Sequence, residues 1–133
     1  MEKINIAEKL GLFQDTWKPR IVAELNGQQV KVVKLHGPFV WHQHEREDEM
    51  FLVVRGNLRL EFRESVVELR PGELLVVPRG VEHRPVAENE VEVLLFESEE
   101  DLHQGDATMD SYAPGEGSMH RVSVERFDVP VRL

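Results

Sequence analysis

Two histidines one residue apart, His42 and His44, lead into an acidic run of Glu45, Glu47, Asp48 and Glu49. Imidazole nitrogens and carboxylate oxygens suit first-row transition metals, so the chemistry this stretch raises first is metal binding. On an extended strand, side chains at i and i+2 project from the same face. His42 and His44 would then point together with Val40 beside them, and Phe39 and Trp41 would face the other way. Such a pair offers two nitrogens to one ion, but a half-exposed polar strand also accounts for it. A second stretch shifts the balance. Residues 72–83 contain Gly72, Pro78, Gly80 and His83, a rigid strand–turn–strand with a histidine at its far end. At average usage of Gly and Pro, that Gly-Pro-Gly spacing arises at about two positions in ten thousand, which favours a built turn over chance.

The elements that would position these residues are mostly strands. Residues 4–13 can form a short amphipathic helix, with Ile6, Leu10 and Phe13 near helical spacing. After Pro19 the period changes to two, and Asn26-Gly27 is a strong two-residue hairpin signal. Short β-rich runs follow at 29–35, 39–44, 49–54, 58–62, 66–69, 74–78, 81–86 and 91–96, separated by turn residues such as Gly56-Asn57, Pro71-Gly72 and Arg79-Gly80. This spacing predicts an all-β antiparallel sandwich or barrel in a single domain over residues 1–133. Alternation directs Val40, Phe51, Val53, Leu58, Leu60, Phe62, Val67 and Leu69 inward, and Arg59, Glu61 and Arg63 outward. Residues 98–133 are acidic and rich in turn formers, and read as an irregular tail in which 121–127 and 129–133 can add edge strands, Pro130 limiting the last one to an edge.

Composition excludes several classes. A net charge of −9 argues against nucleic acid or an anionic membrane surface as a partner. No apolar run approaches a membrane span, and the charged start lacks the apolar core of a secretory signal, so a cytoplasmic location is expected. With no cysteine there is no disulfide framework, thiolate nucleophile or cysteine-based zinc site. No Gly-rich phosphate loop or G-x-S-x-G elbow is present.

The two histidine segments resemble the paired motifs of the cupin superfamily. The first motif runs from a glycine to His-x-His, then three or four residues to Glu and six more to Gly; here His42, His44, Glu49 and Gly56 keep that spacing. The second motif, Gly-x5-Pro-x-Gly-x2-His-x3-Asn, is matched by Gly72, Pro78, Gly80 and His83. Gly37 stands one residue closer to His42 than the pattern has it, and Ala87 occupies the place of the Asn. The resemblance covers residues 37–87 directly. It implies a jelly-roll (double-stranded β-helix) barrel with a short N-terminal helix, the barrel core spanning about 20–97. It also implies one divalent transition metal held by His42, His44, Glu49 and His83. Manganese, iron, nickel, cobalt and zinc are all compatible with that ligand set, although zinc more often prefers four-coordinate sites. Glu49 is the family's carboxylate by spacing and opens an apolar strand, while Glu47 and Asp48 fall on the connecting turn.

The other histidines have weaker claims. His36 reads as a partly buried polar group at a strand end, and His103, His120 and Tyr112 lie in the tail. The resemblance implies a metalloenzyme of dioxygenase, decarboxylase or isomerase type acting on a small organic molecule. The alternatives are a cupin that binds a small molecule without turnover, or a structural barrel. Alternation finds no inward Arg or Lys to clamp a phosphate unless the strand of Lys31 and Lys34 has the opposite register, so oxygenase-type chemistry is favoured over sugar-phosphate isomerisation. A homodimer is expected from an outward Phe39 and Trp41 together with an open edge strand near the N-terminus.

Overall fold

The computed structural model describes residues 1–98 and the two-residue strand at 125–126. One short helix, α1 (Ile6–Leu10), precedes strands β1 (Arg20–Leu25), β2 (Gln28–Pro38), β3 (Glu49–Arg55), β4 (Leu58–Phe62), β5 (Val66–Leu69), β6 (Leu74–Val77), β7 (His83–Ser98) and β8 (Glu125–Arg126). The Asn5 side chain caps α1 by accepting from the Glu8 N–H at 3.0 Å. The helix is shorter than its periodicity suggests, and Leu10 and Phe13 pack from it and the following loop onto Val32 of β2. Asn26 and Gly27 both have positive φ, 49° and 73°, as the two-residue turn between twisted strands requires.

The strands pair in the order β5-β4-β7-β2-β1-β8, with β3 joined to β7 and β6 joined to β3. Every described pairing is antiparallel except β1 with β8, which is parallel (Arg20 opposite Glu125, Ile21 opposite Arg126). The closed jelly-roll barrel expected above is therefore not what forms. The sheet is open: its path ends at β5 and at β8, and no described ladder joins them. Turn signals and alternation report how many strands exist and which face each presents. Closure instead needs a hydrogen-bonded ladder between the last strands of the path, and here those are only four and two residues long.

Two further expectations change. Residues 39–44 do not form a strand; His42 makes only an isolated bridge to His83. The runs at 81–86 and 91–96 merge into the single 16-residue β7. A straight strand of that length would hold its ends roughly 50 Å apart. Yet β7 pairs with β4 near His83 and with β3 near Phe96, and His83 lies 3.5 Å from Glu49 at the start of β3. The strand must bend. The register with β2 shifts between Leu35 and Gly37, opposite the exposed Glu88, Asn89 and Glu90, and a bulge of this kind is where a strand bends.

The core lies inside this bend, and includes Phe51, Val53, Leu58, Leu60, Leu69, Val91, Val93 and Leu95, with Val40, Phe62 and Val67 partly buried against it. Alternation along β3 to β5 thus placed its inward residues correctly. Phe39, expected outside, is 3% exposed and stacks on Trp17 with ring centroids 4.9 Å apart. Trp41 is half-buried beneath the Arg63 guanidinium, 3.9 Å from its ring. Phe39 therefore does not join Trp41 on the outer face, and the β1 edge carries β8. His36 is exposed, whereas His103, His120, Tyr112 and the 129–133 strand lie outside the described residues.

At the β3–β4 turn, Gly56 has φ +88°, and a Cβ there would sit 2.9 Å from the Glu90 carbonyl oxygen. Gly56→Ala should destabilise the fold by about 3 kcal/mol, through left-handed strain plus collision with the β7 bulge. Gly27→Ala, with nothing within 4 Å of its added Cβ, should cost only about 1 kcal/mol. Denaturant midpoints of the two variants test the ranking.

Candidate metal centre

The segment after β2 is held against the turn before β7 by backbone bonds. Phe39 N–H donates to Pro85 O at 2.9 Å, and His42 and His83 exchange N–H···O bonds in both directions at 3.0 and 2.9 Å. Gly80 N–H donates to His44 O at 2.7 Å, and Arg79 N–H to Asp48 Oδ1 at 2.9 Å. Asp48 is thus a staple between the two motifs, and its carboxyl is held below its ordinary range chiefly by that backbone bond. Glu49 begins β3 opposite Val77, the residue just before Pro78.

These constraints bring His42, His44, Glu49 and His83 together. Each offers one ligand atom, all within 4.8 Å of one another, and all four residues are buried. Of the nearby acids, Glu45 and Asp48 are exposed and Glu47 is half-buried. His42 Nδ1 lies 2.9 Å from Val40 O, and His83 Nδ1 lies 2.9 Å from Val81 O. A carbonyl only accepts, so both Nδ1 atoms carry the proton and both Nε2 atoms present a lone pair. Neither Nε2 has a hydrogen-bond partner, and neither does Glu49 Oε2. His44 Nε2 is 2.8 Å from Glu49 Oε1, whereas His83 Nε2 at 3.5 Å is beyond good hydrogen-bonding reach of that oxygen. Buried acceptors left facing one another are costly to maintain, and a cation placed between them removes that cost. The donor set therefore fits a divalent transition metal.

Burial pushes His42 down to about 3, helped by the neighbouring His83 and His44 and opposed by Glu49. Burial alone would raise the Glu49 carboxyl, but His44 and His83 hold it well below the usual range. Around the cluster the walls are aromatic: Phe39 meets His42 edge-on at 5.2 Å, and Phe51 and Phe62 lie 6.0 and 6.4 Å from the His83 ring. Trp17 braces Phe39 from behind and donates its Nε1–H to His36 O at 2.8 Å. Nothing in the sequence singled Trp17 out; it lies outside both motifs and reaches the site only through tertiary contact.

One expectation about charge is reversed. Lys31 is fully buried, on the same face of β2 as the core residues Val33 and Leu35. Its Nζ lies 2.6 Å from Glu97 Oε1. Lys34 takes the opposite face and donates to Phe13 O at 2.8 Å. β2 adopts the register opposite to the one expected, and that register turns Lys31 inward. A separate cleft of about 380 Å³ lies beyond the other end of β4, lined by Asn57, Arg59, Glu68, Arg70, Glu88 and Glu90 among others. It includes none of the four clustered residues.

The lowered His42 has a consequence for the metal-free protein. Below pH 6.5 the unfolded chain takes up a proton that folded His42 refuses until about pH 3. Stability is thus fully present above pH 6.5 and is lost as pH falls toward 3, with Glu49 adding a loss of the same sign at lower pH. Between pH 6.5 and 5 the loss should be about 2 kcal/mol, and His42→Asn should remove most of it. Urea midpoints of chelator-treated protein measure this; a flat profile over that range would contradict it.

Residues 29–99, just over half of the chain, match the family model described as the cupin domain. The curated protein YdbB of Bacillus subtilis (strain 168), which is uncharacterized, is 31% identical over 64 residues, covering 47% of this chain and 57% of YdbB. A crystal structure of a cupin-2 domain protein from Shewanella frigidimarina is 44% identical over 71% of this chain and 93% of that one, with a TM-score of 0.71. A crystal structure of a Neisseria meningitidis protein is 35% identical over 73% of this chain and 99% of that one, with a TM-score of 0.68. The matched span contains both histidine motifs and all four clustered residues, and this chain belongs to the cupin-domain family.

Proposed function

We propose that this protein is a single-metal cupin enzyme that acts on a small organic molecule bound beside the ion. One observation carries the reading: the Nε2 atoms of His42 and His83 and Oε2 of Glu49 are buried, unpartnered and converging. His42, His44, Glu49 and His83 would hold the ion, with one carboxylate charge among them. When bound, a divalent metal supplies a Lewis acid that polarises a ligand oxygen. The chain's own part is to fix the imidazole tautomers through the Val40 and Val81 carbonyls, and to exclude water with Phe39, Phe51 and Phe62. Oxygenase-type chemistry is favoured over phosphate-ester substrates, because the buried lysine on the inner face already faces a carboxylate at 2.6 Å. No helix among the described residues is long and apolar enough to cross a membrane.

Protein prepared without chelator, or reconstituted with manganese, iron, nickel, cobalt or zinc, should carry about one ion per chain by elemental analysis. Glu49→Gln keeps the volume and removes the charge, and should weaken metal binding by more than about 100-fold, beyond the loss typical of an outer-shell change. Glu47→Gln should leave metal content unchanged. The metal-loaded wild type should consume oxygen or convert a compound from a panel of diketones, hydroxy acids, flavonols and sugars, and Glu49→Gln should lose that activity in step with metal. Persistent absence of metal would overturn the proposal, and tight binding without turnover would make the protein a binding module.

A further inference from the structure

The inner face beside Glu49 is polar, although its neighbours along each strand are apolar. Met50 pairs with Phe96, and one more step in that antiparallel register sets Glu49 across from Glu97. On the other side of β7, Glu97 pairs with Gln29 and Leu95 with Lys31. Glu97 shares the face of the core residues Val93 and Leu95, and Gln29 and Lys31 share that of Val33 and Leu35. Glu49, Glu97 and Gln29 thus form one cross-strand row on the inner face, with Lys31 next along β2. All are nearly inaccessible, and Lys31 Nζ sits 2.6 Å from Glu97 Oε1. Gln29 is 1% exposed, yet its Oε1 has no hydrogen-bond partner. A buried amide oxygen left without a donor is unfavourable, and Gln29 belongs to neither the metal cluster nor the apolar core.

With strands about 4.8 Å apart, Gln29 stands roughly 10 Å along the row from Glu49. The ion and the Glu49 and Gln29 side chains take up part of that interval, so a three- or four-carbon molecule chelated beside Glu49 has only the remainder to bridge. The wall offers it an acceptor, the Gln29 amide oxygen, and an acceptor selects a hydroxyl donor. The Lys31 charge is already offset by Glu97, so the wall favours no second anionic group. We propose that Gln29, backed by the Lys31–Glu97 pair, is the specificity-determining wall of the metal pocket, and that its ligand is a short polyhydroxy acid. The inference rests on the metal-dependent function proposed above: the α-hydroxycarboxylate end takes the ion, and a distal hydroxyl donates to Gln29 Oε1.

The test is calorimetric titration of the manganese-loaded full chain with lactate, glycerate and erythronate. These share the chelating end and differ in distal hydroxyls. Glycerate or erythronate should bind at least about tenfold tighter than lactate, the scale of one added buried hydrogen bond. Gln29→Leu should abolish that preference while metal content and lactate affinity stay as in wild type. Gln29→Met, closer in shape, should do the same and serves if the leucine variant fails to fold. Equal affinities for the three acids in wild type, or a preference that survives both substitutions, would overturn the assignment. A chain that takes up no metal overturns the functional proposal and this one together, whereas a metal-loaded chain that does not distinguish the acids overturns only this one.

Discussion

His42 and His83 exchange both backbone hydrogen bonds, and the arrangement of the cluster depends on that exchange. Residues paired in this way point their side chains to the same side of the ladder, which is why the two imidazoles approach with ring centroids 4.3 Å apart. The bridge forms only because β7 bends at its bulge and returns His83 toward β3. Gly80 to His44 and Arg79 to Asp48 then fix the two motifs at a second and third point. Three tethers leave the loop carrying His42 and His44 little freedom to relax, so the imidazoles stay close even though none gains a hydrogen bond from another.

That rigidity sets up the electrostatics. Two Nε2 lone pairs and a carboxylate oxygen are held buried beside aromatic rings, with no hydrogen-bond partner from the described residues. Desolvation keeps His42 neutral, and the Glu49 charge survives only because imidazoles surround it. Burial disfavours a proton on any one imidazole, whereas the convergence of the acceptors favours a divalent cation, since an ion satisfies several of them at once and a proton satisfies one.

Much of this was legible in the sequence, and the limits have physical causes. The clustering of His42, His44, Glu49 and His83 could be expected because two family motifs are legible in the sequence, although His83 stands far along the chain from the other three. The inward residues of β3 to β5 followed from period-two alternation, which is a local property. The conformation of residues 39–44 did not follow, because His42 pairs through a single bridge and strand-like composition cannot distinguish a bridge from a ladder. Phe39 was misplaced for the same reason: alternation assigns faces only where a strand exists. Closure of the sheet and the inward turn of Lys31 depend on long-range register, and a lysine on a strand reads as an outward residue until its buried carboxylate partner is located in space.

The outer face shows how an acidic chain keeps such an interior compact. Arg84 reaches Glu61 at 2.6 Å, Arg59 joins Glu61 to Glu88, and Arg63 pairs with Glu82 while lying over Trp41. Exposed pairs of this type contribute about 0–1 kcal/mol each, so they do not account for the fold. Their position matters more than their number. Trp41 and Arg84 directly adjoin His42 and His83 in sequence, and the Arg84 guanidinium lies 5.4 Å from the Trp41 ring, so the network starts from the residues beside the bridge. The charged exterior is thereby tied, through Trp41 and Arg84, to the two segments whose pairing the buried cluster depends on.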